Sequence, residues 1–113
     1  MVRGRIDFIE LPCGDVAEMQ GFYGAVFGWE FEQFGPTYAC TMTGDVDIGF
    51  QADTPEQSDA PLPVIQVPDL EAALASVEAV GGDVTRPIFA FPGGRRFHFR
   101  DPAGNEIAAH KPD

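Results

Sequence analysis

The sequence predicts an α+β fold built from two tandem strand–helix–three-strand modules. Three observations carry this. One order of elements is repeated, a polar, proline-containing connector at 52–61 separates the copies, and the turn Asp101-Pro102-Ala103-Gly104-Asn105 precedes a closing strand. With 113 residues, 44% of them hydrophobic, the chain makes one domain, 1–113, with material for a real core.

Module one covers about 5–51. It runs as a strand (Ile6–Leu11), a helix (Val16–Phe27) and strands near Trp29–Phe34, Tyr38–Met42 and Val46–Gln51. Module two covers about 62–110, with a strand (Leu62–Val67), a helix (Leu70–Val80) and strands near Val84–Phe89, Arg96–Arg100 and Asn105–His110. An offset of 54 residues carries Asp15 onto Asp69, Val16 onto Leu70, Ala25 onto Ala79 and Gly28 onto Gly82. Each Asp stands where an N-cap side chain satisfies free helical N–H groups. Each Gly stands where a residue of positive φ ends a helix. In the closing turn, Asp, Pro, Gly and Asn act through side-chain capping, a preset φ and tolerance of positive φ.

The net charge of −11 argues against nucleic acid, since phosphate binding needs clustered Lys and Arg; the one basic cluster is Arg95-Arg96, with Arg100 nearby. Cys13 and Cys40 form no CxxC pair, and no apolar run follows the basic N-terminus, so reduced cysteines and a cytoplasmic location are expected. No stretch is long and apolar enough to suggest a membrane span. Nucleophile-elbow, P-loop, dinucleotide and zinc-protease motifs are all missing.

Phe22-Tyr23, Val26-Phe27-Gly28-Trp29, Val80-Gly81-Gly82 and the Asp-Pro-x-Gly-Asn turn occur in an order that resembles the vicinal-oxygen-chelate superfamily. That family holds glyoxalase I, extradiol dioxygenases, fosfomycin-resistance enzymes and bleomycin-binding proteins. The resemblance implies a curled mixed sheet around a cavity, with the helices on the convex face, and it implies a homodimer. It also implies metal ligands on the first and last strand of each module, which fall here on Phe8, Leu62, the neighbourhood of Gly49, and Ala108. None of these has a side-chain oxygen or nitrogen, so neither a metal at the family position nor any other cofactor is expected.

Strand alternation turns Ile9 and Leu11 toward the helix and leaves Ile6, Phe8 and Glu10 on the concave side. Glu10 is then a candidate base, or a rim residue, or the partner of an Arg. In the segment 96–100, Phe97 and Phe99 belong to the core, while Arg96 and His98 face the cavity. The resemblance implies that His98, three residues before the turn Asp, falls where the fosfomycin-resistance enzymes touch ligand, and it is the second catalytic candidate. Arg96 could clamp an anion or hold a structural ion pair. His110, near the C-terminus, reads as a rim residue. The candidate ligand contacts are therefore Phe8, Glu10, Arg96, His98 and His110.

Tyr38 and Cys40 sit on a middle strand whose facing the alternation leaves open, and Cys40 reads as a buried structural thiol. Trp29, Phe31 and Phe34 read as core and cavity wall, residues 44–47 as a solvated turn, and Pro92-Gly93-Gly94 as a mobile loop able to gate the cavity. The leading functional reading is a small-molecule-binding protein that lacks the family's metal ligands. The alternative is a lyase, isomerase or dioxygenase-like enzyme, using a displaced metal or metal-free acid–base chemistry by Glu10 and His98. A third is a ligand-free structural homodimer with a cavity filled by its own Phe side chains.

Overall fold

Both halves of the chain arrange their strands in one pattern, although they share few residues. The computed structural model describes residues 1–113. It divides into two compact units, residues 8–62 and residues 1–7 together with 63–113. The elements are β1 (Arg5–Pro12), α1 (Val16–Phe27), β2 (Glu32–Gln33), β3 (Tyr38–Cys40) and β4 (Asp47–Gln51). They continue as β5 (Leu62–Gln66), α2 (Leu70–Ala79), β6 (Asp83–Phe91), β7 (Gly94–Arg100) and β8 (Glu106–Pro112).

In the first unit the strand order is β2-β3-β4-β1, with β1 parallel to β4 and the other neighbours antiparallel. The second unit repeats this as β6-β7-β8-β5, with β5 parallel to β8. The repeat expected from spacing is therefore a repeat of topology, and the α+β class with two βαβββ modules is the observed one.

The helix starts follow the sequence. Asp15 accepts from the N–H groups of Ala17 and Glu18, and Asp69 accepts from that of Ala72. Gly28 ends α1 at φ 69°. In the second module the left-handed residue is Gly81 (φ 78°), not Gly82, which instead donates its N–H to the Val77 carbonyl and closes the last turn.

The first core packs Val16, Ala39 and Phe50 with Leu11, Tyr23 and Phe31. The second packs Val67, Leu70, Ala73, Phe97 and Ala109, with Phe99 against them. Phe97 lies opposite Ala109 across β7 and β8, so a large ring meets a small partner. Complete burial of Phe50 and Phe97 contributes roughly 1.5–3 kcal/mol each.

Some expectations are corrected. Of the residues read as core and cavity wall, Trp29 and Phe34 are exposed and so are not core. Only Glu32 and Gln33 of the expected strand 29–34 enter a ladder, because the Trp29 ring stacks back on Tyr23 and Phe27. Pro92 and Gly93 form a two-residue hairpin turn, with Phe91 paired to Gly94, so the expected gating loop is a tight turn. Asp101 organises the closing turn by accepting from the N–H groups of Ala103 and Asn105 and from the Asn105 side chain. No helix is long and apolar enough to cross a membrane.

Candidate functional site

In the second unit, β7 alternates as the sequence suggests. Phe97 and Phe99 pack toward α2, and Arg96 and His98 take the other face. Register sets His98 beside Ala108 and Arg96 beside His110 on β8. His98 is 3% exposed, with Nδ1 3.4 Å from Glu106 Oε2 and the Phe89 ring 5.7 Å away. Thr85 donates its hydroxyl to the same Glu106 oxygen at 3.0 Å and fixes it. No hydrogen-bond partner reaches His98 Nε2. Burial, and then the charge of Arg96, hold His98 below its ordinary pKa; Glu106 opposes them only in part. A neutral imidazole results. Opposite an ionised Glu106, which can only accept, the Nδ1–H tautomer is the one that makes this contact, and it leaves a lone pair on Nε2.

The basic residues of this unit are dispersed. The Arg96 guanidinium lies 5.3 Å and 5.5 Å from the Phe89 and Phe91 ring centres, and that of Arg86 lies 3.6 Å above Phe89. Arg95 pairs at the surface with Glu71, and Arg100 donates to the Gly104 carbonyl. His110, read as a rim residue, is held by a side-chain network. Its Nε2 lies 2.9 Å from Asp7 Oδ1, while Gln66 donates to the other oxygen of Asp7 at 3.2 Å.

In the first unit Glu10 is 3% exposed, and the Tyr38 hydroxyl donates to its Oε2 at 3.4 Å. That contact puts Tyr38 on the Glu10 face, and register puts Cys40 beside Gly49. Burial, followed by the charges of Asp47 and Glu32, pushes the Cys40 thiol up to about 11, so it is a buried thiol with no nucleophilic character. The Phe8 ring lies over Gly49: a Cβ added there would fall 2.5 Å from Phe8 Cζ and 2.7 Å from the Tyr38 hydroxyl.

The helix-side face of this unit carries an open groove of about 700 Å³. It begins where the left-handed Gly28 turns the chain out of α1, and its walls include Ile9, Trp29, Phe31, Met42, Val46 and Ile48. Residues 44–47 are more ordered than a plain solvated turn. Asp47 accepts from the hydroxyls of Thr41 and Thr43 and the N–H groups of Thr43 and Gly44. Burial pushes the Asp47 carboxyl up, but these bonds outweigh it and hold the group below its usual range. None of Phe8, Glu10, Arg96, His98 or His110 lines the groove. The available sequence signal for it was the aromatic pair Trp29 and Phe31 directly after a helix-ending glycine.

Residues 5–109 match the family model of the glyoxalase/bleomycin resistance protein/dioxygenase superfamily. The chain belongs to that superfamily. No curated protein matches its sequence. Among solved structures it is similar to a protein described as an NAD-dependent benzaldehyde dehydrogenase from Legionella pneumophila (TM-score 0.78, 14% identity, 98% of this chain and 100% of that one). It is also similar to the Mn(II)-bound glyoxalase of Novosphingobium aromaticivorans (0.73, 21%), covering 98% of itself and 40% of that chain. A third likeness is to methylmalonyl-CoA epimerase from Mycobacterium tuberculosis (0.75, 14%; 96% and 87%). At these identities the likeness is one of fold.

The superfamily's divalent ion does not fit the residues found here. The Phe8 ring occupies the space over Gly49 where a ligand side chain would project, and Leu62 and Ala108 are fully buried without a donor atom. No three His, Cys, Asp or Glu side chains are grouped so as to hold a metal.

Proposed function

We propose that this member of the superfamily binds a small organic molecule without a divalent ion at the family's ligand positions. The observation that carries the reading is His98 Nε2, buried and without a hydrogen-bond partner. A buried polar atom left unsatisfied costs about 1–3 kcal/mol, and a ligand O–H or N–H donated to it would recover that cost. Each unit offers its own contacts: Phe8 and Glu10 in the first, Arg96, His98 and His110 in the second. The aromatic residues Phe89 and Phe91 add apolar surface. We also propose a homodimer and a cytoplasmic location, to be checked by sedimentation and by fractionation.

The test is thermal unfolding of chelator-treated protein against Ni²⁺, Zn²⁺, Mn²⁺, Fe²⁺ and Mg²⁺, then against small molecules bearing hydroxyl or amide donors. A ligand at 100 times its Kd adds about 2.7 kcal/mol, a shift of several degrees. The expected result is no shift with the metals, and a shift with a donor-bearing molecule that His98→Gln removes. A metal-dependent shift that His98→Gln or Glu10→Gln abolishes would overturn the reading.

A second reading is metal-free acid–base catalysis, favoured by Glu106 holding the His98 proton on Nδ1 and leaving Nε2 as a base. It predicts that the protein speeds deuterium exchange at carbon acids in D₂O and that His98→Gln does not.

A further inference from the structure

Charge and exposed apolar surface are both unevenly distributed along this chain, and the two coincide. Residues 8–62 hold ten of the eighteen carboxylates and none of the seven Lys and Arg residues or the two His. The same unit exposes Phe22, Phe27, Trp29, Met42 and Val46, whereas the other exposes only Met1, Ile6 and Val80 among the large hydrophobic residues. Soluble domains seldom leave that much apolar surface together unless something binds there.

The open groove lies within this acidic unit. Its volume of about 700 Å³ falls within the range of small-molecule sites. Ile9, Ile48 and Phe31 give it apolar walls, and Trp29 adds an exposed indole. Glu30 and Glu32 stand at the same groove, both exposed. Asp47 adds charge, but both its oxygens are engaged by Thr41, Thr43 and Gly44, so Glu30 and Glu32 are the carboxylates able to turn toward a ligand.

Charge decides among occupants. An anion would enter a unit that contains no cation to receive it. A neutral apolar molecule would use the walls and gain nothing from the carboxylates. A cation with a bulky apolar body gains both. We infer that this groove is a binding site for a small lipophilic organic cation, separate from the His98 face. The second unit, with eight carboxylates against seven Lys and Arg residues, has no comparable bias.

Trp29 is the only tryptophan, so its emission reports the groove directly. The experiment titrates the protein with tetraphenylphosphonium and, in parallel, with tetraphenylborate, which has the same shape and the opposite charge. The expected result is a saturable change with the cation that weakens as salt is added, and binding of the borate about tenfold weaker or worse. Glu30→Gln combined with Glu32→Gln should weaken the cation about fivefold, the effect of roughly one exposed charge pair in water. Val46→Arg should abolish binding, and His98→Gln should leave it unchanged. Equal binding of the two ions, or no saturable change, would overturn the inference. So would Trp29 emission that shifts on dilution as a dimer dissociates, because a second copy would then cover the groove.

Discussion

His98 surrenders its hydration on folding and recovers one contact, from Nδ1 to Glu106, while Nε2 recovers none. Its burial favours the neutral ring, and this links stability to pH. In the unfolded chain the imidazole titrates near its ordinary value of about 6.5, while in the folded protein it titrates lower. Between those values the unfolded state binds the proton and the native state does not. The His98 contribution is therefore intact above about pH 6.5 and is lost as pH falls toward the folded value. Denaturation midpoints should decline as pH falls below about 6.5, and His98→Gln should flatten that decline. Identical slopes in the two proteins would remove the claim. The carboxylates held low, such as Asp47 and Asp101, act nearer pH 4 and stay out of this window.

Elements depend on glycines at close contacts as much as on strand residues. Gly94 opens β7 opposite Pro112, and a Cβ there would sit 2.5 Å from the Lys111 carbonyl oxygen. That neighbour is backbone and cannot swing aside. Gly94→Ala should therefore destabilise the protein by about 1–3 kcal/mol, measured by urea unfolding. A change below about 0.5 kcal/mol would mean that β7 and β8 separate at little cost. Pro92-Gly93-Gly94 marks a turn without stating its length, so the tight hairpin that joins Phe91 to Gly94 is not distinguishable in sequence from a longer loop. Helix caps, by contrast, act locally, so Asp15 and Asp69 could be placed from sequence alone.

At the scale of the whole molecule, net charge and its distribution set the behaviour. Ten carboxylates without a cation in residues 8–62 repel one another, and salt screens that repulsion. Raising NaCl from low levels to about 0.5 M should increase the melting temperature, with most of the gain at the low end, where the screening length changes fastest. A melting temperature that falls with salt would mean attractive pairs dominate, among which Arg95–Glu71 is a surface pair of small worth.

By itself, the sequence determined the class, the module repeat, the helix starts and the alternation that sets Arg96 and His98 on one face and Phe97 on the other. These follow from local rules: a cap bonds within one turn, and strand faces alternate residue by residue. That Phe8, Leu62, Gly49 and Ala108 bring no side-chain donor atom was also legible, because those residue types have none in any fold. Only the tertiary structure decided the rest. It paired His98 with Glu106 and His110 with Asp7, residues 8 and 103 positions apart. It turned Trp29 out of the expected strand onto Tyr23 and Phe27, at the wall of the groove in the acidic unit. Such contacts depend on strand register and on which rings find room to stack, and both are fixed by long-range packing that no local window of sequence contains.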